Sequence, residues 1–214
     1  MFNFKNKKVL CLSPHPDDAE IAISGTVLKF PDIFFDILTL SCGSENDNMQ
    51  GNSRHNEIIN FWNILGVENI NLILPKVNYI TELREDQWIT EIEKNYNLDI
   101  NSYDCIMTTP KNDNHCEHRI VNNISRSLVR SSNCMLLEYQ TVSVQPDWVC
   151  NLSIDIQEQF ENKTTCLEKA FANQLNNGRR YFGRKSMEMF SKDFKLMRKN
   201  IEYVEKYRLI EGCL

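Results

Sequence analysis

The sequence lacks the patterns that mark several common classes of protein. No stretch of apolar residues approaches the length of a membrane span, so we expect no membrane insertion. The apolar run that follows the lysines near the N-terminus is too short for a signal peptide. No G-x-G-x-x-G motif follows the first predicted strand, which argues against dinucleotide binding. A net charge of -5 gives no reason to expect a nucleic-acid partner.

The eight cysteines include no C-x-x-C pair, so the sequence does not resemble a disulfide scaffold. Cys11, Cys105 and Cys134 lie inside apolar runs, where a free thiol behaves as a small hydrophobic side chain. Stable disulfides are rare in reducing compartments. We therefore expect reduced thiols and a cytoplasmic location.

The length of 214 residues fits one domain with a full-sized core. Short apolar runs alternate with helical patterns over most of the chain. Predicted strands cover residues 9–13, 34–40, 70–74, 104–109 and 134–137. Predicted helices cover residues 18–30, 53–64, 85–96 and 117–129. This alternation predicts an α/β, Rossmann-like fold, with a mainly parallel sheet of strand order 3-2-1-4-5 and helices on both faces.

The C-terminal part of the chain has a different pattern. Helical signals dominate at residues 157–175 and 187–207, joined by a loop at 176–183. We therefore expect a single domain, 1–214, with an α/β core to about residue 140 and a mostly helical extension over about 141–214 that shapes the substrate pocket. Residues 1–161 carry 12 Lys+Arg and 23 Asp+Glu, a net charge of -11, whereas residues 162–214 carry 12 and 6, a net charge of +6.

Two short segments concentrate residues that bind metal ions. Residues 13–20, S-P-H-P-D-D-A-E, place one imidazole and three carboxylates directly behind the first predicted strand. Carboxylates crowded near a buried strand repel one another and are costly to desolvate, and a nearby cation removes that cost. Residues 113–118, D-N-H-C-E-H, follow the fourth strand. Strands 1 and 4 are neighbours in the predicted order, and their carboxyl ends flank the ligand-binding crevice. The two segments therefore predict one shared metal site.

These segments contain a donor set suited to catalytic zinc, which takes three protein ligands and leaves one position open to water. His15, Asp18 and His118 would supply the ligands. Asp17 would then be free to take a proton from that water, and the set would serve attack on an amide carbonyl. The alternative is that Asp17 or Asp18 only caps the following helix.

The other polar residues of the two segments have different predicted roles. His115 is left to stabilise an oxyanion or to protonate a leaving group, and Glu117 to orient an imidazole ligand. Cys116 is interpreted as a loop residue without a function, because its histidine neighbours suffice as ligands. The fourth histidine of the chain, His55, is interpreted as an exposed helix residue.

The motifs resemble those of a known family. Residues 14–20, P-H-P-D-D-A-E, resemble the P-H-P-D-D-x-E signature of the PIG-L/LmbE-like zinc-dependent N-deacetylases, and residues 115–118 resemble that family's H-x-D-H motif. Residues 54–57, R-H-N-E, are similar to the family's R-x-x-E helix, which ends here in L-G-V at 65–67. The resemblance extends weakly to residues 154–156 and Lys163, and so covers most of the chain.

Carried over by position, the resemblance implies one zinc ion per chain, held by His15, Asp18 and His118. It implies that Asp17 is the general base and that His115 is the acid or the oxyanion stabiliser.

The resemblance also places Arg54 near the substrate hydroxyls. The chain departs from the family pattern at two positions. Glu117 stands where Asp is usual, so a longer side chain must reach the same partner. Asn173 and Gln174 stand where the family often has Ser-Gln. Neither departure touches a predicted zinc ligand, so we still expect activity.

The implied function is zinc-dependent hydrolysis of the acetamide of an N-acetylated amino sugar, or of its glycoside, nucleotide-linked or lipid-linked conjugate. Acetate and a free amine are released. A magnesium enzyme of phosphoryl transfer is one alternative, although magnesium prefers all-oxygen ligands. A non-catalytic sugar- or nucleotide-binding protein is another, although the retained Asp17 argues against it. The expected partner is a small molecule, and the sequence leaves open whether the chain forms a homo-oligomer.

A basic cluster lies in and just after the loop at 176–183. It consists of Arg179, Arg180, Arg184 and Lys185. Charge runs are usually solvated surface, and this one would also neutralise the acidic body of the protein. The alternative is that Arg179 and Arg180 bind an anionic part of the substrate, because the planar guanidinium grips phosphate oxygens in pairs.

Overall fold

The computed structural model describes residues 7–43, 47–130, 132–193 and 201–210. Within these ranges, a single sheet contains seven strands in the order β3-β2-β1-β4-β5-β7-β6. The strands are β1 Lys8–Ser13, β2 Phe34–Thr39, β3 Ile70–Ile73, β4 Cys105–Thr108, β5 Met135–Tyr139, β6 Leu152–Asp155 and β7 Val204–Leu209. The first five pair in parallel, so the predicted order 3-2-1-4-5 is confirmed.

Helices cover both faces of the sheet, as predicted. They are α1 Asp18–Lys29, α2 Asp47–Leu65, α3 Glu85–Thr90, α4 Cys116–Val129, α5 Phe160–Ala170, α6 Ala172–Asn176 and α7 Arg184–Ser191. One core cluster contains Trp62 of α2 and Leu167 of α5, and a second contains Trp88 of α3 and Val121 of α4. Because both faces are covered, β1 contains the continuous apolar run 9–12, and its last five residues are buried. In the described ranges, no helix is both long and apolar enough to cross a bilayer.

The prediction of a helix at residues 187–207 is wrong. Helix α7 ends at Ser191, and residues 204–209 form strand β7, which pairs antiparallel with both β5 and β6. Residues 194–200 of that prediction lie outside the described residues. Tertiary contacts override the local helical pattern here, because Tyr207 and Glu205 are buried against α1. The C-terminal region is thus part of the sheet as well as helical.

Three other helix boundaries differ from the predictions. Helix α2 begins at Asp47, before the predicted start at Ser53. The helix predicted at 85–96 changes at Glu91–Asn95 into a π-helical turn. The helix predicted at 157–175 is interrupted at Phe171, which is fully buried and separates α5 from α6.

A fully buried ion pair anchors β7 to the rest of the fold. The Lys163 ammonium lies 2.6 Å from Glu205 Oε1, and both side chains are 0% exposed. Glu205 also accepts hydrogen bonds from the backbone N–H groups of Gly25 and Thr26, at 2.8 and 2.7 Å. A Cβ at position 25 would lie only 2.9 Å from Glu205 Oε1, so the glycine permits this close approach.

We predict that Lys163→Met destabilises the protein by about 3–5 kcal/mol, because it leaves the Glu205 carboxylate buried without its cation. Adding Glu205→Gln should recover part of that loss, since the second change removes the uncompensated charge. Urea unfolding of the two single variants and the double variant measures both effects. Arg184→Ala, which breaks an exposed pair with Glu161, is the control and should have a much smaller effect. Additive losses in the double variant would contradict a coupled pair.

Candidate active site

A cavity of about 650 Å³ lies where the carboxyl ends of β1 and β4 meet. The two strands are paired through Val9 and Cys105, so the segments that follow them enter the same space. Eight of the nine residues predicted to act in the site line this cavity: His15, Asp17, Asp18, Arg54, His115, Glu117, His118 and Arg179. The predicted convergence of the two segments is therefore observed.

The donor atoms of His15, Asp18 and His118 form a compact triangle. His15 Nδ1 lies 3.1 Å from Asp18 Oδ2, and His118 Nε2 lies 3.2 Å from the same oxygen. The two ring nitrogens are 3.3 Å apart. Zinc binds nitrogen and oxygen at about 2.0–2.2 Å in a tetrahedron, which places neighbouring ligand atoms about 3.3–3.6 Å apart. The triangle therefore fits three corners of a zinc site.

A second potential donor set replaces Asp18 with His115. Ligand atoms of His15, His115 and His118 all lie within 4.8 Å of one another. The His115 ring is exposed and stacks on His118, with ring centroids 4.7 Å apart. The spacing in the set with Asp18 is closer to that of a tetrahedral zinc site. We therefore retain Asp18 as the predicted third ligand, with His115 beside it.

Each of the two predicted histidine ligands has a carboxylate on its other ring nitrogen. Glu117 Oε2 lies 2.7 Å from His15 Nε2, and Asp113 Oδ2 lies 3.1 Å from His118 Nδ1. A carboxylate in this position keeps the proton on the far nitrogen and leaves the near one free to bind a metal. Glu117 also accepts a hydrogen bond from the Ile80 N–H, at 2.9 Å. Glu117 is thus placed to orient His15, despite its extra methylene.

Asp113 is a further residue of the site that was not predicted from the sequence. It is fully buried and accepts hydrogen bonds from Thr141 Oγ1, from Ser143 Oγ at 2.7 Å and from the His115 N–H at 2.8 Å. These contacts fix the loop between β4 and α4 as well as the His118 ring. Its position in the sequence could have indicated this role, since Asp113 is the first acidic residue after β4 and begins the segment 113–118.

The charges around the triangle favour a cation. Burial lowers the pKa of His15, but hydrogen bonds with Asp18 and Glu117 outweigh burial and raise this pKa to about 9. Burial also lowers the pKa of His118, whereas the charge of Asp18 and the hydrogen bond with Asp113 raise it to about 10. Burial raises the pKa of Asp18, yet both imidazoles together hold it well below its usual range. Positive charge is therefore stabilised at the centre of the cluster.

Asp17 lies beside the triangle and is bound by a different set of residues. Its Oδ2 accepts hydrogen bonds from Arg54 Nη2 at 2.8 Å and from the Tyr181 hydroxyl at 3.2 Å. Burial raises the pKa of Asp17, and the Arg54 charge opposes that rise. Tyr181 also lines the cavity and was not predicted from the sequence. It comes from the loop at 176–183, which therefore reaches the site.

Arg54 is held by protein groups on several sides. Besides Asp17, it donates to the Pro16 carbonyl and to Glu57 Oε2, the latter at 2.9 Å. Gln174 Nε2 donates to both Glu57 oxygens, at 2.9 and 3.0 Å. The hydrogen bonds thus run from Gln174 through Glu57 and Arg54 to Asp17. Arg54 lines the cavity, and the contact with substrate hydroxyls stays a prediction.

The basic cluster is divided in the structure. Arg179 is exposed and lines the cavity, whereas Arg180 is exposed and lies outside the cavity lining. Arg184 forms two 2.6 Å contacts with the Glu161 carboxylate. This pair agrees with a neutralising role for Arg184 and leaves Arg179 as the arginine placed to meet a substrate.

The placement of Cys116 and the burial of His55 differ from those predicted from the sequence. Cys116 is the first residue of α4 rather than a loop residue, and it is exposed at the cavity. His55 lies on α2 as predicted, but it is half-buried, and its Nε2 is 3.4 Å from Cys42 Sγ. Burial lowers the pKa of His55. All seven cysteines in the described part of the chain are free thiols, as expected.

The chain is similar to a known protein family and to several solved structures. The profile of the family PIG-L, described as GlcNAc-PI de-N-acetylase, matches residues 10–129, more than half of the chain. A comparison with curated proteins found no match. The matched range includes the predicted ligands His15, Asp18 and His118, but not Arg179 or Tyr181. The resemblance seen in the motifs is confirmed.

Solved structures share the fold. The hydratase GalB from Pseudomonas putida KT2440, which acts on 4-carboxy-2-hydroxymuconate, superposes with a TM-score of 0.73 at 12% identity, covering 96% of this chain and 97% of that chain. The N,N'-diacetylchitobiose deacetylase from Pyrococcus horikoshii has a TM-score of 0.68 at 19% identity, with coverages of 98% and 87%. The A40926 pseudoaglycone deacetylase Dbv21 has a TM-score of 0.70 at 15% identity, with coverages of 96% and 98%. At these identities the similarity establishes the fold alone.

We predict that His118→Ala sharply lowers the zinc content of the protein, because it removes one corner of the donor triangle. Elemental analysis after zinc loading and dialysis measures this effect. His55→Ala is the control, since His55 lies on α2, outside the triangle, and should keep one zinc per chain. Full zinc content in His118→Ala would reject the ligand assignment.

Proposed function

The chain belongs to the PIG-L family, and on this basis we propose that it is a zinc-dependent amidohydrolase that removes the acetyl group from an N-acetylated amino sugar or its conjugate. Acetate and a free amine are the proposed products. The observation that carries the proposal is the donor triangle of His15, Asp18 and His118, whose edges of 3.1–3.3 Å suit zinc. Zinc bound there would polarise the amide carbonyl and lower the pKa of water.

Asp17 is the proposed proton acceptor. Its Oδ2 is held by Arg54 and Tyr181, while its Oδ1 has no hydrogen-bond partner among the described residues. Asp17 lines the cavity, where this oxygen would be available to a reacting water. Because burial raises the pKa of Asp17, the carboxylate is a stronger base than an exposed one. Arg54 and Tyr181 would fix its orientation as the proton is transferred.

His115 is the proposed partner of the carbonyl oxygen or the leaving amine. Although His115 is an exposed residue, partial desolvation of its ring lowers its pKa, and the charges of His15 and His118 lower it further. A neutral imidazole donates a hydrogen bond from one nitrogen and accepts at the other. Neutral His115 is therefore suited to donate a hydrogen bond to the negative charge that develops on the oxygen, and the proton that Asp17 takes from water is the one available to the leaving amine.

The rival functions have weaker support. Magnesium prefers oxygen ligands, whereas imidazole nitrogens of three histidines surround this site. A non-catalytic binding protein would not need Asp17, with its ordered contacts to Arg54 and Tyr181. The hydratase among the similar structures shows that one fold serves different reactions, so the activity must be argued from the site. We also propose a cytoplasmic location, which rests on the free thiols.

We predict that the zinc-loaded protein releases acetate from N-acetylglucosamine derivatives and that Asp17→Asn loses rate by on the order of 10²-fold or more, because an amide is not a base. The variant should keep its zinc, since Asp17 lies outside the triangle. Acetate release and zinc content are measured in parallel. Wild-type turnover in Asp17→Asn would show that another group is the base, and His115 would be the first candidate. If the zinc-loaded protein released no acetate from any of the derivatives, the proposed deacetylase function would be rejected.

We predict that a phosphate-bearing N-acetyl sugar has a higher kcat/KM than the neutral sugar, since Arg179 faces the cavity, and that added salt reduces this advantage. Arg179→Ala should erase the advantage and leave turnover of the neutral sugar unchanged. Lys185→Ala removes an exposed charge just beyond the loop and is the control. Equal preference for the two substrates in the wild type would show that the basic cluster is solvated surface.

A further inference from the structure

A second cavity of about 650 Å³ lies on the α4 side of the sheet and shares no lining residue with the first cavity. Its walls come from α4, from the loop between β4 and α4, and from strands β5 and β7. The charged residues that line it are Lys111, Arg126, Arg208 and Glu138. This local excess of positive charge contrasts with the net charge of -5 of the whole chain.

The single carboxylate in this lining is already bound within the protein. Glu138 is 1% exposed. Its Oε1 accepts from the Lys111 N–H at 3.1 Å, Asn122 Nδ2 at 3.1 Å and Arg126 Nη2 at 3.3 Å. Its Oε2 accepts from Trp148 Nε1 at 3.0 Å. Glu138 therefore compensates Arg126, and its recorded contacts include neither the Lys111 ammonium nor the Arg208 guanidinium.

Lys111 and Arg208 lack partners. Within the described ranges, neither the Lys111 ammonium nor the Arg208 guanidinium forms an ion pair or a side-chain hydrogen bond, and both side chains are exposed. Arg208 lies directly opposite Glu138 in the β5–β7 ladder, so its side chain leaves the sheet on the same face. Lys111 and Arg208 thus bring two unpaired positive charges to a cavity whose one carboxylate, Glu138, is already paired with Arg126.

We propose that this cavity is an anion-binding site for a small molecule with more than one phosphate or carboxylate group. Lys111 and Arg208 would contact the anionic groups, and Arg126 would contribute from α4. The volume lies within the range of about 300–1,000 Å³ that is usual for small-molecule sites. Guanidinium and ammonium groups on separate elements suit a ligand with two separated charges. The proposal does not depend on the deacetylase function.

Trp148 provides a local signal for binding. Its indole donates to Glu138, whereas the other two tryptophans, Trp62 and Trp88, are buried elsewhere in the two cores. Titration of the zinc-loaded protein with fructose 1,6-bisphosphate, at constant ionic strength, should change tryptophan emission in a saturable way. Isothermal titration calorimetry should give the same dissociation constant, and added NaCl should weaken binding.

The variant Lys111→Ala/Arg208→Ala should weaken binding at least tenfold. Both side chains are exposed and unpaired, so the change should leave the thermal unfolding curve intact. Arg84→Ala/Lys94→Ala removes the same charge from the exposed region around α3 and is the matched control, with unchanged binding expected. Equal binding by the wild type and Lys111→Ala/Arg208→Ala would place the anion elsewhere and overturn the proposal. The absence of saturable binding to the wild type would also overturn it.

The bound anion has two potential sources, which activity measurements separate. Lys111 lies two residues before Asp113, on the same loop that orients His118. A free effector would change turnover of a neutral N-acetyl sugar, and Lys111→Ala/Arg208→Ala would abolish this change. If the site instead holds the distal end of an anionic substrate, the bisphosphate would inhibit only turnover of the anionic substrate.

Discussion

The candidate site depends on one electrostatic interaction, the contact of two imidazoles with a single buried carboxylate. His15, Asp18 and His118 are pressed to within 3.1–3.3 Å of one another, and a carboxylate stands behind each ring. Burying this much unlike charge is tolerable only when every group is paired. The pairing is possible because β1 and β4 are adjacent and parallel, so that residues from distant parts of the chain meet at one edge.

The C-terminal region completes this arrangement. Gln174 supports Glu57 and through it Arg54, and Tyr181 contacts Asp17 directly. These contributions come from outside the range matched by the family profile, which ends at residue 129. The buried Lys163–Glu205 pair joins the same region to α1, the helix that begins at Asp18. The positions of Arg54 and Asp17 therefore depend in part on residues late in the chain.

Much of the fold followed from the sequence because its signals are local. Apolar runs between helical patterns predict the central strand order, and the carboxyl-end rule places both metal-binding segments at the crevice. Strand β7 was not predicted, because Glu205 and Tyr207 have a helical pattern whose burial depends on Lys163 and α1, far away in the sequence. Asp113 and Tyr181 were missed for the same reason: their roles arise from partners that only the folded chain brings near.

Anomalous diffraction at the zinc edge, from crystals of the zinc-loaded protein, would locate the metal. We expect one strong peak per chain, about 2.0–2.2 Å from His15 Nδ1, Asp18 Oδ2 and His118 Nε2. Asp113 and Glu117 should remain on the outer nitrogens of the two rings. A peak coordinated by His115 in place of Asp18, or a peak outside this cavity, would contradict the assignment of His15, Asp18 and His118 as the zinc ligands.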